Sequence, residues 1–307
     1  MRRVRSPPFA IVGGMLKVSI IIPAWNEEER IDDCLTCAAR QTVMPHEIIV
    51  VDNKSTDRTV EIVERFAAAH PEAPVRLIHQ DAEQGLIPTR NAGLNAATGD
   101  VLGRVDADCM LKPDWVEVVT AIFTEDPKAM GASGPVVYYD MPLKKTGLRG
   151  DNRTRRLIYR ADGNRTMLFG SNMALRATAW RAIAGEVCRD YEDVMHEDVD
   201  ISLHMLGKGF KTVYSPRMIV GMSARRMASG FVSFKHYTDR FRNTFDAHPR
   251  HTRFFRPEYL LRMMWPFIHF LYPLYQRRME REHIDCAAMV WRDEQNRILK
   301  GTSALTH

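Results

Sequence analysis

Short β-branched runs alternate with amphipathic stretches through the first third of the chain. Val18 to Ile22 is an apolar run that stops at Pro23, and Glu47 to Val51 is a second, stopped by Asp52 and Asn53. Unbroken runs of this kind predict strands buried on both faces of a parallel sheet. Val75 to His79 and Val101 to Val105 read as the third and fourth strands. Between them the period lengthens to that of helices: Ile31 to Arg40, Arg58 to His70 after the capping Ser55-Thr56-Asp57, and Ile87 to Ala97. Strict alternation predicts an α/β domain with a Rossmann-like, mostly parallel sheet, right-handed crossovers and flanking helices.

From about Lys128 the rhythm loosens. Gly134 to Tyr139 reads as a strand, Phe169 to Gly185 as a strand or turn leading into a helix, and Val199 to Leu206 as a helix closed by Gly207 and Gly209. Thr212 to Tyr214 is a further short strand. Lys144 to Arg165 holds eight basic and two acidic residues with no clean period; it reads as a solvated loop, or as a mobile basic loop over phosphates. Phe231, Phe234, Thr238, Phe241 and Phe245 recur at spacings of three and four, one stripe of a helix. Tyr259 to Tyr275 is heavily apolar but broken by Arg262, Pro266, His269 and Pro273, which argues against a bilayer-spanning helix. Its aromatics and flanking arginines suit a membrane surface; packing against the rest of the chain is the plainer alternative.

Composition changes the picture only in the placement of charge. The net +5 conceals a balance of −2 over residues 1–220 and +7 over residues 221–307, so the basic character belongs to the C-terminal part. Phosphates or anionic lipid head groups are the partners such charge attracts. Nucleic acid fits poorly, because the aromatics there form an apolar stripe rather than alternating with basic residues. The basic start Met1 to Arg5 and the apolar run Phe9 to Leu16, with prolines before it and glycines inside it, read as an N-terminal extension rather than a signal peptide. Cys34 and Cys37 form a C-x-x-C with no second pair to complete a zinc site, and they fall on one face of a predicted helix. Reduced thiols and a cytoplasmic location follow most simply.

The candidate chemistry lies at the end of the fourth strand. Asp106-Ala107-Asp108 follows Val101 to Val105 directly. In an extended chain, side chains at i and i+2 share a side, so both carboxylates would meet at the carboxyl edge of the sheet, where open α/β folds bind ligands. Such oxygen ligands suit Mg2+ or Mn2+ carrying phosphates.

Around this pair stand five further pieces: Val18 to Ile31 (VSIIIPAWNEEERI), Ile49 to Asp57 (IVVDNKSTD), Gly85 to Leu94 (GLIPTRNAGL), Gly170 to Arg176 (GSNMALR) and His196 to Leu203 (HEDVDISL). Together they resemble the family 2 inverting glycosyltransferases over about residues 17–215. The resemblance implies a GT-A fold, a nucleotide-diphosphate sugar donor with uridine as the default base, and a glycan or lipid-linked acceptor in cell-envelope biosynthesis. On it, residues 1–16 are an extension, 17–127 the nucleotide-sugar-binding half, 128–220 the acceptor-binding and catalytic half, and 221–307 a basic, amphipathic, helical C-terminal region. That region, over residues 225–278, is the candidate for contact with the inner face of a membrane.

The same resemblance distributes roles. Pro23, Ala24 and Trp25 wall the base pocket, Glu27 lies near the base or ribose, and Asp52 accepts from a ring nitrogen. The family often has Asp-Asp-Gly-Ser-Thr-Asp where this chain has Asp-Asn-Lys-Ser-Thr-Asp; Asn53 could still read a base edge. Arg90 lies near the nucleotide, where it could offset diphosphate charge. Asp106 is similar to the carboxylate near ribose and metal, and Asp108 to the direct metal ligand. Many relatives add a histidine to the metal; Val220 to Met227 contains none, and Arg225 and Arg226 could take over part of the charge neutralisation. Asp198 corresponds to the general base, with Glu197 beside it. Asp200 is expected to be structural, Met173 and Trp180 acceptor-side core. Two other readings remain: a sugar-nucleotide nucleotidyltransferase, which should carry a Gly-rich basic loop where Pro23 to Glu29 stands, and a non-catalytic binding protein of the same fold.

Overall fold

The computed structural model describes residues 15–190, 192–226, 229–248, 257–282 and 285–293. Most of the N-terminal extension, residues 1–14, lies outside the described residues. β1 (Val18–Ala24) and β2 (Glu47–Asp52) are buried at every position, as strands covered on both faces must be. β3 (Val75–His79) and β4 (Val101–Arg104) complete the parallel block, with α1 (Ile31–Ala39), α2 (Thr59–Ala69) and α3 (Leu86–Ala96) as the crossovers. Cys34 and Cys37 are buried on the inner face of α1.

The chain then adds β5 (Met110–Leu111), α4 (Trp115–Glu125), β6 (Ala129–Ser133), β7 (Val136–Tyr138), α5 (Lys144–Ala161), β8 (Met173–Arg176), α6 (Ala177–Ile183), α7 (Glu197–Gly207), β9 (Lys211–Tyr214) and β10 (Val220–Met222). Seven strands form one sheet in the order β3-β2-β1-β4-β8-β6-β9, in which β8 alone runs antiparallel to its neighbours β4 and β6. The sheet crosses the 127/128 boundary without a break. A second, three-stranded sheet, β5-β10-β7, lies beyond the end of β4. Antiparallel β8 brings Met173 opposite Arg104, so the residues just before β8 stand beside the turn that leaves β4.

The predicted loop over Lys144–Arg165 is instead the 18-residue helix α5. Its inward face is built from Leu148, Asp151, Asn152, Arg155 and Tyr159, a helical spacing carried mostly by polar groups. Asp151 accepts from Val136 N–H at 3.0 Å and from Arg155, Arg155 lies 4.5 Å over the Phe169 ring, and Tyr214 donates to Asn152 at 2.8 Å. A hydrophobic period cannot reveal a helix that docks through hydrogen bonds.

The C-terminal region is helical: α8 (Phe231–Ala247), α9 (Pro257–Arg281) and the short α10 (Cys286–Met289). The α8 stripe packs as its spacing predicts through Phe234, Thr238, Phe241 and Phe245, while Phe231 is exposed. α9 continues through Pro266 and Pro273. No helix among the described residues is long and apolar enough to cross a membrane.

Candidate active site

The rim of the site begins where β1 and β2 end. Their register sets Ala24 beside Asp52, and Asn53 N–H donates to Ala24 O at 3.0 Å. Pro23 and Ala24 are buried in the strand, whereas Trp25, the next residue, is 56% exposed and free to present its ring. The loops beyond interlock. Asn26 accepts from Thr56 N–H, Glu27 N–H donates to Thr59, and Glu28 N–H donates to Asp57, all within 3.0 Å. Lys54 adopts a left-handed φ of 62°, which accounts for glycine in the corresponding family motif. Asp52 is buried and receives Ser55 N–H at 3.4 Å. The Asn53 amide is engaged within the protein: it donates to Gln80 O and Glu83 O and accepts from Gly85 N–H at 2.7 Å, fixing the loop before α3.

The carboxylate pair leaves β4 in a turn rather than an extended strand, with Cys109 N–H donating to Asp106 O at 3.0 Å. The same-side expectation is therefore met by other means, the ligand atoms of Asp106, Asp108 and Cys109 all lying within 4.8 Å of one another. Asp106 pairs with Arg104 at 2.8 Å. Asp108 pairs with Arg225 Nε at 3.0 Å, and Arg225 Nη2 reaches Glu27 at 2.6 Å. Tyr139 O–H donates to Asp108 O at 3.1 Å. Burial first, and the charge of Asp106 second, push the Asp108 carboxyl up to about 6 despite Arg225. Burial likewise raises Glu27, whose Oε2 is buried with no hydrogen-bond partner among the described residues. The oxygens of Asp106 and Asp108, which stand together at the turn, fit a hard divalent cation.

Arg104 is the residue that sequence reading missed. It lies in an otherwise apolar strand, is 2% exposed, and pairs with Asp106 and also with Glu197 at 3.2 Å. A buried charge inside an apolar run has to be paired, and that is the signal that could have found it. Gly170 is fitted against it: a Cβ there would lie 1.2 Å from Arg104 Nη1. Gly170 N–H donates to Asp198 Oδ2 at 2.7 Å, and Val199 N–H donates to Oδ1 at 2.8 Å.

Glu197 and Asp198 open α7, where acidic side chains also meet the positive end of the helix dipole. Their environments separate them. Burial opposes ionisation of Glu197, but Arg104 and then Arg90 outweigh it and hold the carboxyl below its usual range. Burial, reinforced by the Glu197 charge, pushes half-buried Asp198 up to about 7. Arg90 sits beneath this pair. It is 0% exposed, donates to Glu197 O at 2.9 Å and to Asn91, and lies 5.9 Å from the Trp180 ring. It braces the start of α7 and presents no surface to a ligand, which is a different place from the diphosphate-facing one the sequence suggests. Met173 and Trp180 are buried core residues, and Arg226 stacks 5.6 Å over Tyr237.

The profile of Glycosyl transferase family 2 matches residues 19–183, and that of Glycosyl transferase family group 2 matches residues 104–275. The chain is 37% identical over 102 residues to glycosyltransferase AglE of Haloferax volcanii, covering 33% of each chain. It is 36% identical over 109 residues to the chondroitin synthase of Escherichia coli, covering 36% of this chain and 16% of that one. It thus spans about a third or less of the length of these curated relatives. In three dimensions it is similar to mannosyltransferase PcManGT from Pyrobaculum calidifontis in complex with GDP-Man and Mn2+, with a TM-score of 0.63, 20% identity, and coverage of 93% of this chain and 81% of that one. S. aureus TarS 1-349 in complex with UDP-GlcNAc is also similar, with a TM-score of 0.53, 18% identity, and coverage of 75% and 65%. Both likenesses are in the fold. The profile match extends over more than half of the chain, through the rim, the carboxylate turn and Gly170: the chain belongs to glycosyl transferase family 2.

Proposed function

We propose that this chain transfers a glycosyl group from a nucleotide-diphosphate sugar to a hydroxyl acceptor, by a single displacement that inverts the anomeric carbon. The observation that carries the reading is Arg104, one buried guanidinium that joins Asp106, at the carboxylate turn, to Glu197, next to Asp198. Donor-side and acceptor-side carboxylates are thereby held in one frame.

Asp198 is the general base in this reading. As the acceptor oxygen bonds to the anomeric carbon, its proton passes to the Asp198 carboxylate, the bond to the diphosphate oxygen breaks, and the nucleoside diphosphate departs. Glu197, kept ionised by Arg104 and Arg90, supports the site without competing for that proton; pairs of carboxyls pushed apart in this way divide acid–base roles. Asp106 and Asp108 would hold Mg2+ or Mn2+, which supplies charge stabilisation for the departing diphosphate. Arg225, paired with Asp108, adds a fixed cation beside the same phosphates. Trp25 offers an aromatic face for the base and Asp52 a carboxylate for its ring N–H; we read the base as uracil. The structural neighbours carry either a guanosine or a uridine diphosphate sugar, so the test must span both.

The acceptor is a glycan or a lipid-linked saccharide at the cytoplasmic face of a membrane. Support comes from α9, whose Tyr259, Met263, Phe267, Phe270 and Leu274 are exposed along one stripe, followed by Arg277, Arg278 and Arg281. An apolar stripe with a basic end is the composition of a helix lying in the interface of an anionic bilayer. The deciding experiment follows release of nucleoside diphosphate from UDP-, GDP- and dTDP-sugars with Mn2+ or Mg2+, with and without anionic vesicles carrying a polyprenyl-phosphate-linked saccharide. Acceptor-dependent release from one donor supports the reading, and release from none overturns it.

A further inference from the structure

Two residues past Asp198, and so about 200° round the helix, α7 carries a second cluster. Asp200 and His204 stand one turn apart, which puts both on one face. Cys188, in the segment after α6, and His248, just beyond the end of α8, meet them there. One ligand atom from each of the four lies within 4.8 Å of all the others.

Three of these atoms are spaced closely and evenly. Asp200 Oδ1 is 3.1 Å from His248 Nε2 and 3.4 Å from His204 Nε2, and the two nitrogens are 3.4 Å apart. Bonds of about 2.0–2.1 Å to a tetrahedral ion imply ligand–ligand edges of about 3.3–3.4 Å, so the three atoms stand at the spacing of one tetrahedral face. Asp200 is 1% exposed, and its Oδ1 is buried with no hydrogen-bond partner among the described residues despite two imidazoles within reach. Its other oxygen accepts from Cys188 N–H at 2.9 Å, which fixes the carboxylate. A buried oxygen left in that condition is destabilising, and an ion bound by these atoms removes the cost. His204 Nδ1 lies 4.0 Å from Glu186, beyond hydrogen-bond distance, and Glu186 itself pairs with Lys208.

We propose that Cys188, Asp200, His204 and His248 bind one zinc-class divalent ion. Sulfur and imidazole ligands favour Zn2+ or Co2+ over the hard cations suited to the carboxylate turn. Burial, with Asp200 next, keeps the Cys188 thiol protonated in the metal-free chain; the ion takes the thiolate and one proton is released to solvent. Bound there, it pins the segment after α6 and the end of α8 to the helix whose first turn carries Glu197 and Asp198. The site is independent of the transferase reading and stands or falls by metal uptake alone.

The test is a Co2+ titration of the chelator-treated full chain with excess Mg2+ present to occupy the carboxylate turn. One equivalent should bind with the intense visible bands of tetrahedral Co2+ and a near-ultraviolet thiolate-to-cobalt band. Cys188→Ser should abolish the near-ultraviolet band while visible absorption persists, and His248→Ala or His204→Ala should weaken uptake by about tenfold or more. Zn2+ should raise the Tm of the wild type by more than that of His248→Ala. Absence of tetrahedral bands in the wild type, or the same uptake and spectrum in Cys188→Ser and His248→Ala, would overturn the proposal.

Discussion

The two clusters that meet helix α7 are made of opposite materials. Around the carboxylate turn the ligand atoms are mostly oxygens, and permanently charged guanidinia thread between them: Arg104 to Asp106 and Glu197, Arg225 to Asp108 and Glu27. At the other cluster a single buried carboxylate faces two imidazoles and a thiol. The first arrangement has fixed cations beside half-buried anions, so an incoming diphosphate and its divalent counter-ion can enter and leave by exchanging partners. The second converges on one point from three separate segments of chain, which suits an ion that stays. On the two proposals, one helix would carry proton transfer at its first turn and a bracing ion along its length.

The contrast breaks most sharply at Asp198. Asp198→Asn keeps the shape and removes the proton acceptor, so transfer should fall about a hundred- to ten-thousand-fold, with donor affinity unchanged in a calorimetric titration. Loss of donor binding in that variant would place Asp198 on the donor side and undo the division of labour. Gly170→Ala comes next. The added methyl meets the Arg104 guanidinium, which cannot yield without leaving Asp106 or Glu197. We expect about 1–3 kcal/mol of destabilisation by denaturant unfolding and at least a tenfold loss of transfer; a fully stable, active Gly170→Ala would show that Arg104 is not a rigid strut.

Arg225→Ala sharpens the exchange argument. Nucleotide-sugar affinity should fall about tenfold, the scale of one charge-assisted contact, whereas Mn2+ alone should bind more tightly because Arg225 no longer competes for Asp108. If both affinities are unchanged, Arg225 has no part in the site.

Glu47 provides a control outside both clusters, with no expected effect on transfer. It accepts from Ser19, Thr98 and Arg76, and although burial opposes ionisation, these bonds, led by the one from Thr98 N–H, lower its carboxyl to about 2. A depressed pKa contributes stability that is fully present above the unfolded value near 4.5 and is lost as pH falls through about 2. Glu47→Gln should therefore cost about 2 kcal/mol at neutral pH, with the difference from wild type shrinking between pH 4.5 and 2 in chemical denaturation and transfer chemistry unaffected.

Legibility followed the same division. β1 and β2 can be read directly, because strands covered on both faces are largely apolar, the helices between β1 and β4 follow from their period, and Asp106 and Asp108 are neighbours in sequence. The turn that joins them, and Arg104 behind it, follow from the need to pair a buried charge, which a scan for motifs does not ask about. α5 escapes the hydrophobic period because Asp151, Asn152 and Arg155 dock it. β5 and β10 are two and three residues long, too short to show a period. α4 carries an apolar face of Trp115, Val119 and Phe123 at helical spacing, which is legible in the sequence. The second cluster was the least visible, since Cys188, Asp200, His204 and His248 come from three segments that only the packing of α6, α7 and α8 brings together.

The central claim is that the carboxylate turn holds a metal-bound sugar nucleotide in front of Asp198. Calorimetric titration of UDP-, GDP- and dTDP-sugars into the wild type, Asp108→Ala and Asp198→Asn, each with and without Mn2+, tests it most directly. The account predicts Mn2+-dependent binding of one sugar nucleotide by the wild type and Asp198→Asn, and its loss in Asp108→Ala. Equal binding by Asp108→Ala, or no metal-dependent binding by the wild type to any of the three, would contradict it.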